Sequence, residues 1–355
     1  MSISAVLDAF GLPGEKIQPE PFGSGLINHT WLFDHEAKKY ILQRINNLVF
    51  RNPEAIDDNI RLIADYLKLH YPNYYFTVPV ENPDSDSLIK FEKDGYFRLF
   101  EFVAGSHSYT VADEPEIAFE AAKQFGKFTR LLSGLDITKL KITLPDFHNL
   151  SLRYDQFNRA LLNGNRERLA FAKALIEESK AYSNIADTYV EILKNPEFKM
   201  RVTHHDTKIS NVLFDNDNNG LCVIDLDTVM PGYFISDVGD MMRTYLSPAG
   251  EEETDFNKVC IRDNFFDAIV KGYLSEMQDE LTAIEKKHIV YAGKFIIYMQ
   301  ALRFLSDYLN NDIYYGAKYD LHNFNRAANQ LKLLKALLEK EEELDNRVAA
   351  FTGSA

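Results

Sequence analysis

The chain has 355 residues, 46% hydrophobic and 13% aromatic, which is enough to bury a large core and favours two domains over one. Its 39 basic and 53 acidic side chains leave a net charge of −14, which argues against general affinity for nucleic acid or anionic membrane, since both need basic surface to displace counterions. Lys294 and Arg303 interrupt the apolar run from Tyr291 to Leu305, which is too short for a bilayer, and the N-terminus lacks the pattern of a secretion signal, so a cytoplasmic protein is expected. Cys222 and Cys260 are too few and too far apart for a disulfide framework or a zinc site and read as core or near-core thiols.

The first residues read as a short amphipathic helix. Residues 17–47 then read as strand, glycine turn, strand, polar turn and strand. Residues 53–70 start with proline and set Ile56, Ile60, Ile63 and Leu67 on one stripe, which predicts a helix. In residues 87–106 an Asp94-Gly95 hairpin signal separates two alternating segments. From Pro115 the periodicity turns helical, continuing through about residues 165–195, 255–279, 282–309 and 323–347; only residues 202–243 interrupt it with strands. The fold class expected is α+β: a small antiparallel β-rich lobe, residues 1–103, and a larger, mainly helical lobe, residues 104–355, joined near Glu101 to Ser106.

The interrupting stretch carries the chemistry. "NVLF" and "LCVID" predict two strands joined by the turn-forming "DNDNNG", and alternation puts Val223, Asp225 and Asp227 on one face, with Asn211 opening the partner strand near Asp225. Ahead of them His204, Asp206, Lys208 and Asn211 stand in the H-x-D-x-K-x-x-N spacing of a kinase catalytic loop. Phosphoryl transfer from ATP needs a carboxylate to orient and deprotonate a hydroxyl, a cation on the transferred phosphate, and oxygen ligands for Mg2+. Asp206, Lys208, and the pair Asn211 and Asp225 supply these in turn, with Asp227 as an additional ligand. The competing reading, that Asp and Asn beside a turn are only turn formers, is kept for Asp215, Asp217, Asn218 and Asn219. His204 is assigned a structural role, Asp237 a helix cap or loop brace, and Arg243 an ion pair.

For the nucleotide, "FGSGLINHT" places Gly23 and Gly25 where backbone amides can approach phosphates, a signal whose weight comes from its position between strands. The next strand, where kinases carry a phosphate-binding lysine, ends here in Gln43-Arg44. Alternation sends these two to opposite faces. Charge favours Arg44, with Asp58 as its partner; the alternatives are Gln43 in that role and Arg44 at the surface. The backbone of "FEFVAG", at Glu101 and Val103, is expected to meet the nucleotide base.

The two-lobe order and "HHDTKISNVLFD…VIDLDTVMPG" resemble the aminoglycoside phosphotransferase and choline kinase superfamily. Within it, "YILQRIN" with "NPEAIDDNI", the loop with "DTVMPG", and "ALRFLSDYLNNDIYY" at residues 301–315 are most similar to the N-acetylhexosamine 1-kinases. The resemblance implies a protein-kinase-like fold, ATP and Mg2+ as cofactors, and phosphorylation of a free N-acetylated hexosamine at its anomeric hydroxyl. It matches Asp206 to the base, Asn211 and Asp225 to metal ligands, and implies sugar contacts at His29, Tyr245, Arg303 and Tyr314. That family carries Asn where His205 stands. Arg303 has a competing reading as an i,i+4 partner of Asp307, and Tyr314 and Tyr315 as core aromatics. Two alternatives stand beside the sugar kinase: a kinase for another small alcohol (choline, an aminoglycoside or a homoserine-like metabolite), and a catalytically silent nucleotide-binding module, motivated by the missing lysine. A protein kinase is not expected, because "LDT" rather than "FG" follows Asp225 and "DTVMPGYFISDVGD" leaves no room for an activation segment.

Overall fold

In the computed structural model, which describes residues 2–23, 27–92 and 94–353, Ser2 caps helix α1 (Ile3–Ala9), whose Val6 and Leu7 are buried. Strands β1 (Glu20–Pro21), β2 (His29–His35) and β3 (Lys38–Ile45) follow; then, after helix α2 (Pro53–His70), come β4 (Ile89–Phe91) and β5 (Gly95–Glu101). These strands form an antiparallel sheet in the order β1-β2-β3-β5-β4. Leu42, Phe97 and Leu99 point to one face and pack with Val6, Leu7 and Phe10 of the α1 segment. The other face turns to α2, where the Tyr96 hydroxyl donates to Glu54 at 2.6 Å. Asn52 caps α2 and Pro53 opens it, and the predicted stripe of Ile56, Ile60, Ile63 and Leu67 is buried.

The chain continues through α3 (Pro115–Leu131), α4 (Leu150–Asn163), α5 (Arg166–Phe171), α6 (Lys173–Ala181), α7 (Asn184–Lys194), β6 (Met200–Thr203), β7 (Val212–Phe214), β8 (Gly220–Val223) and β9 (Met230–Tyr233). It ends with α8 (Phe234–Tyr245), α9 (Asp263–Met277), α10 (Ala283–Lys286), α11 (Ile289–Leu309), α12 (His322–Glu339) and α13 (Glu341–Thr352). The fold is the expected α+β arrangement of a small antiparallel sheet and a larger helical part. No helix of the described residues is long and apolar enough to cross a membrane. Cys222 is buried as expected, whereas Cys260 is exposed, because it alternates with the buried Val259 and Ile261 on either side of it.

Two compact units divide the chain: residues 1–107, 134–145 and 213–231 form the first, and residues 108–133, 146–212 and 232–355 the second. Hydrogen bonding explains how distant segments join the first unit. Asn59 of α2 is buried; it donates to the carbonyls of Lys141 (2.8 Å) and Val229 (3.0 Å) and accepts the Lys141 amide (2.8 Å). Phe214 and His107 exchange backbone hydrogen bonds at 2.8 and 3.0 Å, which ties in the β7–β8 hairpin.

The second unit is built around α11, where every residue except Lys294, Gln300 and Arg303 is buried, as expected of a helix apolar on all sides. Helices α4, α8 and α12 pack on it, while α3 lies along α9. The α8 crossing is close because Gly239 has no side chain: a Cβ there would sit 2.2 Å from the Ala292 carbonyl oxygen.

Candidate active site

The loop that carries Asp206 leaves β6 and is held from α8. His205 adopts φ 67°, a left-handed conformation that Asn, Asp and His tolerate better than other side chains. Asp237 accepts the amides of His204 (3.1 Å) and His205 (2.7 Å), and Asp240, one turn on, accepts the Thr207 amide (2.9 Å). Tyr245 completes this face of α8; its buried hydroxyl donates to the Thr207 carbonyl at 2.6 Å. Asp237 thus braces the loop, and Tyr245, expected at the sugar, meets the loop from within. Arg243 is the expected ion-pair residue, 3.0 Å from Asp240 and 2.8 Å from Glu251.

Burial shapes the protonation of this support. It pushes the Asp237 carboxyl up to about 7 although the two amides pull it down, and it raises Asp240 against the pull of Arg243. The loop they hold carries Asp206 half-buried, with Lys208 Nζ 3.1 Å from Oδ1 and Asn211 Nδ2 3.1 Å from Oδ2. The Asn211 amide nitrogen also donates to the Asp206 carbonyl at 2.9 Å, and with its nitrogen so engaged Asn211 has only its oxygen to offer a ligand. Burial alone would lower the Lys208 ammonium; the Asp206 and Asp240 charges outweigh it and raise its pKa. Asp206, Lys208 and Asn211, predicted together, stand together.

In the first unit the hairpin departs from expectation. The strand ends at Val223, Asp225 takes φ 59° and ψ 62°, and a 3-10 turn follows over Leu226–Thr228. The left-handed residue breaks the alternation, so Asp225 is exposed while Asp227 is buried. Asp227 lies 2.6 Å from Nη1 of Arg98, and its Oδ2 accepts Asn28 Nδ2 at 2.7 Å. Arg98 Nε in turn donates to Gln43 Oε1 at 3.0 Å. Arg98, which sequence reasoning missed, shows only as a charge between the apolar Phe97 and Leu99 of β5.

Gln43 therefore lies on the face that carries Arg98 and Asp227. Arg44 pairs in register with Phe97 on the opposite, α1-covered face, and its expected partner Asp58 binds Lys141 instead. Gly23 has φ 80° with nothing near a would-be Cβ, and Gly25 lies outside the described residues. Glu101 is exposed and pairs with Lys38 at 2.7 Å; the Val103 carbonyl accepts the Ser106 hydroxyl at 2.7 Å.

Of the expected sugar contacts, His29 is exposed at the start of β2, its ring 6.2 Å from that of Trp31. Arg303 and Tyr314 meet in the second unit, where the guanidinium lies 5.9 Å from the Tyr314 ring and 5.4 Å from the Tyr315 ring. The i,i+4 pair with Asp307 does not form, because that carboxylate caps the chain reversal after α11 and accepts the amides of Tyr314 (2.8 Å) and Tyr315 (2.9 Å). Arg303 donates to Gln300 at 3.1 Å and meets no carboxylate among the described residues. Tyr314 is 73% exposed, not a core aromatic. Arg153 of α4 stands close enough that burial and then the Arg303 charge depress its pKa.

The sequence matches the phosphotransferase enzyme family (APH) over residues 19–281. Among solved structures it resembles an aminoglycoside phosphotransferase from Alicyclobacillus acidocaldarius subsp. acidocaldarius DSM 446, at 14% identity, TM-score 0.63 and 93% coverage of each chain. It also resembles an amicoumacin kinase in complex with AMP-PNP, Ca2+ and Ami, at 14% identity and TM-score 0.60, covering 90% of this chain and 88% of that one. A choline/ethanolamine kinase family protein from Mesorhizobium loti aligns at 15% identity and TM-score 0.58, over 99% and 98% of the two chains. The matched residues span the greater part of the chain, from the sheet through the loop of Asp206 to α9, and the chain belongs to the phosphotransferase enzyme family (APH).

Proposed function

We propose that the chain transfers the γ-phosphoryl group of ATP to the anomeric hydroxyl of an N-acetylhexosamine, giving a sugar 1-phosphate. The observation that carries the transfer chemistry is the Asp206 carboxylate, flanked by Lys208 and Asn211 on a loop stapled to α8. A carboxylate so fixed orients the attacking hydroxyl and takes its proton as the oxygen–phosphorus bond forms and ADP departs, and the Lys208 ammonium offsets charge on the group in transit. The AMP-PNP and Ca2+ bound by the related amicoumacin kinase support a nucleotide with a divalent cation here.

Asn211 offers an amide oxygen and Asp225 an exposed carboxylate, each by itself a hard oxygen donor of the kind Mg2+ takes beside phosphates and water. When bound, Mg2+ neutralises charge on the phosphates. Asp227, engaged by Arg98 and Asn28, serves first as a brace.

The sugar is favoured over a cationic acceptor by the surroundings of Arg303. Two guanidinium groups, Arg303 and Arg153, stand near each other, and neither has a carboxylate partner among the described residues. Such a place repels an ammonium and donates hydrogen bonds to hydroxyl and acetamido oxygens, and the rings of Tyr314 and Tyr315 add the aromatic packing a sugar ring uses. A panel of N-acetylhexosamines, choline, ethanolamine and aminoglycosides, with ATP consumption read directly and phosphorus NMR of the product, tests this. Turnover with N-acetylhexosamines and phosphate on the anomeric carbon is expected. Turnover confined to the amino alcohols or aminoglycosides would overturn the acceptor, and an Asp206→Asn variant as active as the parent would overturn the chemistry.

A further inference from the structure

We propose that Arg98 of β5 is the phosphate-binding cation of the nucleotide site, in the role that kinases give to a lysine on the strand of Gln43. The assignment rests on the kinase reading above and deepens it. Gln43 and Arg98 are register partners across β3 and β5, so their side chains leave the sheet on the same face. Where the strand lacks a lysine, the guanidinium reaches the same place from the next strand, and Gln43 becomes its holder by accepting Nε at 3.0 Å.

Arg98 is one member of a chain of contacts confined to the first unit. Gln43 touches Thr30 of β2 at 3.4 Å; Arg98 meets Asp227; Asp227 accepts from Asn28, which closes the glycine-containing segment; and Asn28 accepts the Asn46 amide at 3.0 Å. The guanidinium is thereby fixed beside the Asp227 that Asn28 also holds, on the turn that carries Asp225. Only part of its donor set is spent. Nε serves Gln43 and Nη1 faces Asp227 Oδ1, off the axis of a good hydrogen bond, while Nη2 meets no partner among the described residues. A planar fork with unused N–H groups matches phosphate oxygens, and it does so here from a residue only 3% exposed. Stability does not explain the arrangement, because a buried ion pair is commonly no better than the apolar residues that would replace it.

Removing Arg98 alone would strand the Asp227 charge, so the test uses Arg98→Lys and the double variant Arg98→Met with Asp227→Asn. Calorimetric titration with ADP and with adenosine, in EDTA so that no metal ligand contributes, reads phosphate contacts separately from base contacts. The double variant is expected to bind ADP about 10- to 100-fold more weakly, the loss of one charged hydrogen-bonding partner, while adenosine affinity holds and Arg98→Lys recovers part of the ADP affinity. Unchanged ADP affinity in the double variant, or an equal fall for ADP and adenosine, would overturn the assignment. If the parent protein bound neither compound and hydrolysed no ATP with any acceptor, the kinase reading would fall, and this assignment with it.

Discussion

Asp237 Oδ1 lies 2.7 Å from the backbone nitrogen of His205, the residue that takes the loop through a left-handed turn just before Asp206. The position of the Asp206 carboxylate thus depends on an acceptor more than thirty residues downstream, on α8. Asp237→Ala removes the carboxylate that accepts two buried amides, where an unmet donor costs about 1–3 kcal/mol, and loosens the loop that positions Asp206. Thermal unfolding is expected to shift down, and turnover to fall by roughly two orders of magnitude with the KM for ATP little changed, since a small misplacement of a reacting group is that costly. His205→Asn, which suits the left-handed conformation, should keep both properties, whereas His205→Val should lose them.

Burial holds the Asp237 carboxyl near 7, against an ordinary value of 3.8, so the folded chain keeps a proton that the unfolded chain has already released. The stabilisation from that proton is complete below about pH 4 and is lost as pH rises through about 7. Asp237→Asn has no such proton. The stability of the parent relative to this variant is therefore expected to decline between about pH 4 and 7 and then level off. Chemical denaturation of both proteins at several pH values measures it; a constant difference across that window would mean the carboxyl does not titrate there.

Much of this was legible in the sequence because local signals agreed. The α2 boundaries, the Asp94-Gly95 reversal and the loop spacing 204–211 each combine a period with a cap or turn residue. What escaped notice depended on partners far along the chain. Helix α4 buries only Leu150, Phe157 and Ala160 of its length, too thin a stripe to stand out. Asn59 looks like one more polar residue of an amphipathic helix and Arg98 like a lone charge between Phe97 and Leu99, and their meaning appears only when Val229 and Asp227, more than a hundred residues later, come to meet them. The strand through Asp225 was misread for the opposite reason. Alternation continues on paper, but a single left-handed residue ends it.

Gly239 is expected to tolerate no side chain. A Cβ would stand 2.2 Å from the Ala292 carbonyl oxygen and 2.6 Å from Ile296 Cγ1, so α8 and α11 would have to move apart. Overpacking of this kind costs about 1–3 kcal/mol or more, and Gly239→Ala should lower Tm by several degrees despite its better helix propensity. Gly250→Ala, with nothing within 4 Å of the new Cβ, is the matched control. Equal melting temperatures for the two variants would show that the helix crossing has slack.

The two cations on α11 make a further experiment possible, because they differ in one respect. Lys294 has its carboxylate in Glu341, while Arg303 has only Gln300 and the rings of Tyr314 and Tyr315. Lys294→Gln removes a structural pair and should change stability modestly and the acceptor KM not at all. Arg303→Gln removes a donor fork that stability does not require, and is expected to raise the acceptor KM about 10- to 100-fold while the KM for ATP and Tm stay close to the parent values. Arg303→Lys should restore little of it, since an ammonium lacks the planar fork and stacks poorly on the tyrosine rings. Tyr314→Ala, at a side chain 73% exposed, should likewise act on the acceptor KM with a stability change within about 0.5 kcal/mol. An acceptor KM that moved with Lys294 and not with Arg303 would place the acceptor elsewhere on the second unit.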